Sequence, residues 1–294
     1  MPEGRIMKAL SGFYYVKSGD KIYQCRGRGV FRKRNITPLV GDLVTFQIEG
    51  EDEGYILEIK ERKNALIRPP IANIDQAFVT FSATNPDLNV TLLDRFLVMI
   101  EAKQITPIIV VTKVDLLTDA EIASLQEILT YYRKIGYHVV TTSKDDRISL
   151  RELIDLIKDK ISVFAGQSGV GKSTLLNRLR PDLNLETREI SRHLGRGRHT
   201  TRHVELLEVG DGLVADTPGF SSLEFTDIEP EDLTLFFPEM LARYRDCKFR
   251  GCLHINEPDC AVKDAVSNGD IPSYRYENYC TFLSEIQDRK LRLY

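Results

Sequence analysis

The sequence predicts a multi-domain α/β protein with a small N-terminal β-barrel, a central α/β domain and a C-terminal α-helical module. Three observations support this prediction. Short alternating strands fill the first 68 residues, strands then alternate with helices, and a Cys/His cluster lies among helical patterns near the end. A chain of 294 residues is long enough for two or three domains, and its 42% hydrophobic content suffices for their cores. We expect domains at residues 1–68, 71–224 and 225–294.

The predicted barrel rests on period-two patterns. Segments 44–48 and 55–59 alternate apolar and polar residues, and Gly19-Asp20 marks an earlier hairpin. Several short strands in so short a stretch favour an OB-type barrel. Within residues 26–34, five cations surround Phe31, which suits phosphate contacts and base stacking on RNA. A solvated β-hairpin tip explains the same run without RNA, and for the run taken alone it is the better explanation.

Beyond the barrel, strands and helices alternate. Arg68-Pro69-Pro70 is typical of a stiff linker and marks the first domain boundary. This alternation predicts a parallel sheet with helices on both faces, whose ligands bind at the carboxyl ends of the strands. The predicted strands are 76–82, 107–111, 139–142, 161–165 and 212–215, and the predicted helices are 92–103, 119–135 and 150–160.

A glycine-rich loop follows the apolar strand at 161–165 and precedes a helical pattern. It matches the G-x-x-x-x-G-K-[ST] phosphate loop in its expected context. Glycines let the backbone approach phosphate, the helix N-terminus faces the anion, and Lys172 adds a positive charge. The hydroxyl of Ser173 suits a Mg²⁺ shared with the β- and γ-phosphates. A glycine turn with a chance lysine fits this context poorly. The predicted nucleotide-binding residues here are Gly166, Gln167, Ser168, Gly169, Val170, Gly171, Lys172, Ser173 and Thr174.

Two other strand ends carry residues suited to guanine. Asp115 can accept hydrogen bonds from the N1–H and N2 amino groups, which adenine does not offer. The stem of Lys113 can cover the ring, and the Ser143 N–H can meet O6. A site built for such bonds rejects bases that lack them. The Thr112-Lys113-Val114-Asp115 stretch also fits an ordinary helix cap, but its presence beside a phosphate loop favours guanine. The predicted base-binding residues are Thr112, Lys113, Asp115, Ser143 and Lys144.

The segment 185–203 is predicted to sense the γ-phosphate. It holds five arginines and three of the five histidines. A threonine in such a loop can complete a Mg²⁺ shell, and Thr201 is the first choice with Thr200 as the alternate. Asp216-Thr217-Pro218-Gly219 follows the last strand, so Asp216 would hold Mg²⁺ through a water and the Gly219 N–H would meet the γ-phosphate. A plain turn explains this tetrapeptide less well. The predicted magnesium ligands are Ser173, Thr201 and Asp216.

Three cysteines and one histidine lie close together in the C-terminal part. In a cytosolic chain such clustering indicates a metal site more than disulfides. A Cys₃His set suits a closed, tetrahedral and therefore structural Zn²⁺ site. The spacing is not the commonest one, so free cysteines remain the alternative. Helices are predicted at 230–237, 238–244 and 273–293, the first two beginning with proline. The predicted zinc ligands are Cys247, Cys252, His254 and Cys260.

Together these motifs resemble those of the translation-factor class of GTPases, but the base-binding residues precede the phosphate loop, as in a circularly permuted domain. With the barrel and the Cys/His cluster, nearly the whole chain resembles the ribosome small-subunit-dependent GTPases, the YjeQ/YloQ family. The resemblance implies an OB domain, a permuted P-loop GTPase domain and GTP hydrolysis stimulated by the 30S subunit. It also implies rRNA contact, a role in late 30S maturation, and GTP or GDP, Mg²⁺ and one structural Zn²⁺ as ligands.

The sequence departs from common GTPases at two positions. Thr112 stands where many have asparagine, which predicts a looser tie between the base loop and the phosphate loop. Phe220 follows Gly219 where many have a glutamine that orients the attacking water, so the intrinsic rate should be slow. By analogy within the family His199 is a candidate for positioning water, with RNA contact as an equal alternative. Partner-supplied groups raise GTPase rates by roughly 10³–10⁵, so we expect partner dependence. The predicted catalytic residues are Lys172, His199 and Thr201.

Composition limits which partners and which cellular location the chain can have. A net charge of −3 means that a nucleic-acid partner must be held by local basic patches. No apolar run is long enough to cross a membrane and the N-terminus does not resemble a signal peptide, so we expect a cytoplasmic monomer without membrane contact. Two rival functions stay open: a P-loop ATPase or small-molecule kinase, against which Asp115 argues, and an RNA-binding assembly chaperone with structural nucleotide.

Overall fold

The computed structural model describes residues 1–29, 31, 36–67, 69–183, 204–216 and 224–292. In chain order the strands are β1 (Glu3–Leu10), β2 (Phe13–Ser18), β3 (Lys21–Gly27), β4 (Leu43–Glu49), β5 (Glu53–Ile59), β6 (Ala65–Leu66), β7 (Ile71–Ala72), β8 (Gln76–Ser82), β9 (Thr106–Thr112), β10 (His138–Thr141), β11 (Ile161–Ala165), β12 (Glu205–Val209) and β13 (Gly212–Asp216). The α-helices are α1 (Val90–Glu101), α2 (Asp119–Lys134), α3 (Arg147–Ile157), α4 (Lys172–Leu179), α5 (Pro238–Tyr244), α6 (Ala261–Ser267) and α7 (Ser273–Arg292). Among these helices, none has both the length and the apolar character that spanning a membrane requires.

The first five strands close into a barrel. Their order is β1-β2-β3-β5-β4, and β4 pairs back to β1. β3 and β5 are parallel and the other neighbours antiparallel. Alternate residues point inward, so that Ile6, Val16, Val44 and Phe46 are fully buried. This closed five-stranded arrangement confirms the predicted OB-type barrel.

The basic run after β3 differs from its sequence-based interpretation. Phe31 is only 8% exposed and belongs to the core shared with the barrel strands. The interpretation that its ring stacks on an RNA base is therefore not borne out, because the ring already packs against apolar side chains of the core. Arg26 is exposed and places its guanidinium 4.9 Å from the centre of the Phe13 ring. Residues 30 and 32–35 lie outside the described part.

The central sheet has the order β10-β9-β8-β11-β13-β12, and only the β12–β13 pair is antiparallel. Every residue of β8 and β11 is buried, because helices cover both faces of the sheet. On one face Val79 packs in the same core as residues of α1 and α2. On the other face Phe78 packs with residues of α3 and α4. The predicted two-sided α/β domain is confirmed.

The barrel and the central sheet are joined in two ways. β1 pairs antiparallel with β12, with Lys8 opposite Glu205, so that one sheet of eleven strands results. The predicted stiff linker is instead bordered by a short hairpin in which β6 pairs with β7, and Arg68 itself lies outside the described residues. The Ala72 N–H also donates a hydrogen bond to the carbonyl oxygen of Val40, which ties the hairpin to the barrel. The connection is therefore a bonded hairpin and not a free spacer.

The C-terminal module packs its helices around a core of its own. Phe237, Tyr279, Phe282 and Ile286 are each fully buried. The helix predicted at 230–237 is a 3₁₀ helix, Pro230–Phe236, with hydrogen bonds to the third residue back. It ends there because Pro238 lacks an N–H and starts α5 instead.

Candidate active site and metal centre

The phosphate loop adopts backbone angles that need glycine. Gly166, Gly169 and Gly171 have φ angles of 132°, 90° and 100°. A side chain at Gly166 would place its Cβ 2.1 Å from the carbonyl oxygen of Thr80, so the loop lies directly against β8. α4 begins at Lys172, and its Nζ donates to the carbonyl oxygens of Gly166 at 2.8 Å and Gln167 at 2.5 Å. The Lys172 ammonium group therefore lies across the opening of the phosphate loop.

The base loop after β9 is tied directly to the phosphate loop. The buried Thr112 hydroxyl donates to the Val170 carbonyl oxygen at 2.6 Å. Lys113 Nζ donates to the Gly169 carbonyl oxygen at 3.0 Å, from a residue in left-handed conformation with φ 60°. Thr112 therefore does connect the two loops directly, while the comparison with asparagine stays a prediction.

Asp115 is exposed in a 3₁₀ turn, Val114–Leu116, at the mouth of the site. It does not cap the next helix. Thr118 caps α2 and forms a capping box with Glu121, so the cap interpretation of Asp115 is excluded. Among the described residues no hydrogen-bond donor contacts its carboxylate, which leaves both oxygens for a ligand.

Arg178, on α4, contributes to the site in a way that the sequence did not indicate. Its guanidinium donates to the carbonyl oxygens of Ser143 at 2.7 Å and Asp146 at 2.6 Å. The helix that begins at the phosphate loop therefore also holds the second base-binding loop. Lys144 is exposed beside it. A cation on an amphipathic helix normally faces solvent, so no sequence signal marks this contact.

The γ-phosphate side of the site is described only in part. Asp216 ends β13, whose residue Ala215 pairs with Val163 of β11, so its backbone lies beside the strand that enters the phosphate loop. His199, Thr200, Thr201, Gly219 and Phe220 lie outside the described residues, and their roles stay predictions. The convergence of β9, β10, β11 and β13 ends at one sheet edge is the expected location for a ligand.

The four predicted zinc ligands meet in one buried cluster, with their donor atoms within 4.8 Å of one another. Cys260 Sγ lies 3.7 Å from Cys252 Sγ, 3.9 Å from Cys247 Sγ and 3.3 Å from His254 Nδ1. Zn–S bonds of about 2.3 Å in a tetrahedron put sulfur atoms about 3.8 Å apart. The donor set therefore fits a four-coordinate zinc ion held through Nδ1 of the histidine.

Electrostatics around the cluster also favour a cation. Burial raises the pKa of the Cys252 thiol to about 12, so a thiolate there requires a nearby positive charge. Burial lowers the pKa of His254, which keeps the imidazole in the neutral form that ligates a metal. Tyr276 donates its hydroxyl to the His254 carbonyl oxygen at 2.6 Å and fixes this loop to α7. This hydrogen bond links α7 to the loop that carries the cluster.

The sequence matches known proteins along nearly the whole chain. The family model described as RsgA GTPase matches residues 59–226, and that described as RsgA N-terminal domain matches residues 3–56. A protein of Geobacillus sp. (strain WCH70) named small ribosomal subunit biogenesis GTPase RsgA is 62% identical over 292 residues, covering 99% of this chain and all of that relative. The Bacillus subtilis (strain 168) protein of the same name is 59% identical over 297 residues, with the same coverage.

Solved structures agree with these matches. A crystal structure described as YloQ, a circularly permuted GTPase, superposes with a TM-score of 0.86 at 54% identity, covering 98% of this chain and 96% of the other. That of YjeQ from Thermotoga maritima gives a TM-score of 0.86 at 35% identity, with coverage of 97% and 98%. A permuted order is also what the strands of this chain display, since β8 to β10 precede the phosphate loop. The chain therefore belongs to the RsgA GTPase family.

Proposed function

We propose that this GTPase acts in the late maturation of the small ribosomal subunit, where it binds rRNA and is stimulated by the 30S particle. The observation that carries the proposal is the direct tie of the guanine loop to the phosphate loop through Thr112 and Val170. It supports one ligand that combines a guanine base with a polyphosphate. The relatives that match over their full length are named small ribosomal subunit biogenesis GTPases, which supports the partner.

Each residue of the proposed GTP site has a chemical role. Asp115 binds the N1–H and N2 amino groups of the base, and Lys113 lies along the ring. The phosphate loop binds the β- and γ-phosphates, and Lys172 exchanges its two carbonyl partners for phosphate oxygens. Ser173, Thr201 and Asp216 would hold Mg²⁺. Held there, Mg²⁺ would supply positive charge beside the phosphates and so offset the negative charge that develops during hydrolysis.

Hydrolysis breaks the bond between the γ-phosphorus and the bridging oxygen, as a water attacks in line and GDP leaves. His199 orients this water in the proposal, because Phe220 cannot. A His199→Ala variant should lower turnover on the 30S subunit about 10²-fold without changing GDP affinity. His193→Ala in the same segment is the matched control and should turn over normally. Equal loss in both variants would point to RNA contact instead.

The barrel and the C-terminal module would contact RNA and hold the two predicted γ-phosphate segments, 185–203 and 216–219. Arg26 and Arg28 are exposed at the barrel end and suit phosphate contacts that are independent of sequence. Zn²⁺ held by Cys247, Cys252, His254 and Cys260 would cross-link the loop before α6 and so fix the module. The protein would act in the cytoplasm, where the ribosomal subunits that it serves are assembled.

The deciding experiment measures GTP and ATP turnover alone, with purified 30S subunits, with 50S subunits and with free RNA. Slow GTP-only hydrolysis that rises at least about 10³-fold with 30S subunits alone is the expected result. Equal use of ATP would support the kinase or ATPase alternative. Normal 30S maturation with a Lys172→Ala variant would support the chaperone alternative with structural nucleotide.

Base recognition has a separate test. An Asp115→Asn variant replaces an acceptor with an amide that also donates, which suits the 2-carbonyl oxygen of xanthine. We expect GTP affinity to fall by at least about 10²-fold and xanthosine triphosphate to bind in its place. Asp145→Asn, an exposed aspartate near the second base loop, is the control and should keep guanine preference. Retained GTP preference in Asp115→Asn would contradict the assigned base contact.

A further inference from the structure

The second base loop, residues 143–146, connects β10 to α3 and is fixed at both ends. Thr142, which precedes it, is buried, and its N–H donates to the Val111 carbonyl oxygen of β9 at 2.8 Å. The Thr142 hydroxyl oxygen accepts from the Ser149 hydroxyl of α3 at 2.8 Å. At the other end the Asp146 carboxylate caps α3 by accepting from the Ser149 N–H at 3.1 Å. The neighbouring strand and helix therefore fix where the loop begins and where it ends.

Arg178 of α4 holds the middle of this loop. Its two terminal nitrogens donate to the carbonyl oxygens of Ser143 at 2.7 Å and Asp146 at 2.6 Å. The other donors that reach these two carbonyls within the described residues do so at 3.4 Å, beyond the usual range for a hydrogen bond. Because the donors of a guanidinium form a rigid planar fork, Arg178 sets both the position and the spacing of the two carbonyls.

The backbone N–H of Ser143 is the donor that this arrangement orients. Thr142 is fixed on one side of it and the Ser143 carbonyl is held by Arg178 on the other. Since a residue has only two soft backbone dihedrals, fixing the peptide groups on both sides of Ser143 also fixes the direction of its N–H. In the part of the chain that the structure describes, no acceptor contacts this N–H, and Ser143 is half-buried. The N–H is therefore left for a ligand.

The helix that carries Arg178 is held firmly beside α3. Leu175, Leu176 and Leu179 of α4 are buried in the same core as Leu153 of α3. Arg178 lies six residues after the first residue of α4, which is about 9 Å along the helix axis at 1.5 Å per residue. Its guanidinium therefore contacts the base loop and not the phosphate loop, although both contacts belong to one short helix.

We propose that Arg178 is a positioning residue for guanine recognition, which acts through the Ser143 carbonyl to aim the Ser143 N–H at O6 of the base. The inference deepens the proposed function and rests on it for the O6 contact. Without the guanidinium the loop is free to turn this N–H away, and O6 then loses its donor. Asp115 lies in a different loop, after β9, so the contacts to the N1–H and N2 amino groups do not depend on Arg178. Arg178 therefore affects one edge of the base only.

The test compares Arg178→Met, which removes the charge and the fork, with Arg178→Lys, which keeps the charge without the fork. Arg180→Met is the matched control, because Arg180 follows α4 directly but pairs with Asp182 and the Glu208 carbonyl oxygen instead of the base loop.

Three nucleotides separate the two edges of the base. GDP is the reference, 6-thio-GDP carries sulfur in place of O6, and IDP keeps O6 but lacks the N2 amino group. Sulfur is a weak acceptor, so the ratio of the GDP to the 6-thio-GDP affinity reports the Ser143 N–H. The ratio of the GDP to the IDP affinity reports Asp115. Affinities are measured by titration calorimetry on the protein alone, and GTP turnover is measured with 30S subunits.

We expect the wild type to bind GDP about fivefold or more tightly than 6-thio-GDP, and Arg178→Met to reduce this ratio to about twofold or less. The ratio of GDP to IDP affinity should stay at its wild-type value. Arg178→Lys should give an intermediate 6-thio-GDP ratio, and it decides the matter if Arg178→Met fails to fold. Arg180→Met should match the wild type in both ratios.

Three results overturn the proposal: a wild type that does not distinguish GDP from 6-thio-GDP, a 6-thio-GDP ratio that is unchanged in the Arg178 variants, or an equal change in both ratios. The last result would show a general distortion of the site. If 30S subunits fail to stimulate turnover by the wild type, the proposed function fails. The affinity ratios, which need no ribosomal subunit, still decide the role of Arg178.

Discussion

A buried charge cluster between the GTPase domain and the C-terminal module gives the sharpest stability prediction. Arg275 of α7 is 1% exposed and forms a bidentate pair with Glu239 of α5, at 2.6 and 3.0 Å. It also donates to Asp94 of α1, whose side chain is fully buried. Asp94 accepts further hydrogen bonds from Tyr132 and Asn278, each at 2.6 Å. One arginine therefore serves two buried carboxylates from two domains.

The Arg275→Met variant keeps most of the buried volume and removes the charge. Removing one partner of a buried ion pair costs about 3–5 kcal/mol, because the remaining charge is left uncompensated. Here two carboxylates lose their cation, so we expect the upper part of that range. Burial raises the pKa of Asp94 and Arg275 opposes that shift, so the variant should raise this pKa further. The free energy of unfolding should therefore fall steeply.

The pH dependence follows from that direction. A carboxylate whose folded-state pKa exceeds its unfolded value costs stability when it is ionised, and the cost shrinks as the pH falls from the folded-state pKa towards the unfolded-state pKa. The stability deficit of Arg275→Met relative to the wild type should thus grow as the pH is raised and shrink as it is lowered. Because the chain has no tryptophan, urea unfolding is followed by far-ultraviolet circular dichroism and by hydrogen exchange in α7.

Two controls make the prediction decisive. Arg151→Met removes an exposed arginine from α3 and should stay within about 0.5 kcal/mol of the wild type. Adding Asp94→Asn and Glu239→Gln to Arg275→Met removes the unpaired charges and should restore most of the stability. A deficit below about 1 kcal/mol, or one that is independent of pH, would refute the account of this cluster.

Three further predictions concern other sites. Burial raises the pKa of Glu101 to about 7, so the wild type loses stability as the pH rises from about 4.5 to about 7. Above that window, Glu101→Gln should be more stable than the wild type by up to about 3 kcal/mol, as measured by urea unfolding. Thr112→Val removes the hydroxyl bonded to the Val170 carbonyl, so GDP affinity measured by nucleotide titration should fall up to about tenfold. Cys252→Ser removes a ligand from a closed site, so bound zinc by elemental analysis should drop and the module should lose stability on the order of several kcal/mol.

Each of these changes has a control in the chain. Glu127→Gln on the exposed side of α2 should leave the pH profile of stability unaltered. Thr106→Val lies at the exposed start of β9 and should bind GDP normally. Cys280→Ser lies outside the metal cluster and should keep its zinc. If a control shows the same effect as its partner, the assigned contact is not the cause.

Local patterns were enough to predict the elements and the ligand chemistry. Strand 161–165, its glycines and Lys172 indicate a phosphate loop because only that backbone geometry and charge suit a polyphosphate. Alternation of apolar residues predicts the barrel, and the Cys₃His set indicates zinc, since both depend on residue type and spacing. The convergence of the strand-end loops follows as well, because the carboxyl ends of parallel strands meet at one edge whatever the chain order.

Contacts between distant residues required the tertiary structure. Phe31 lies in a basic run that suggests RNA, yet its ring packs in the core. Whether a side chain is buried depends on the space that the folded chain leaves for it, which the local sequence does not show. Arg178, Arg95 and Arg275 have no motif, and the partners of their hydrogen bonds lie 32 to 190 residues away in the chain. Sequence by itself determined the family and the ligand chemistry that its motifs suit. Only the tertiary structure decided how the base loop is bonded to the phosphate loop and how the domains hold the chain after the γ-phosphate motif. Contacts between residues that are distant in the chain depend on which surfaces pack together.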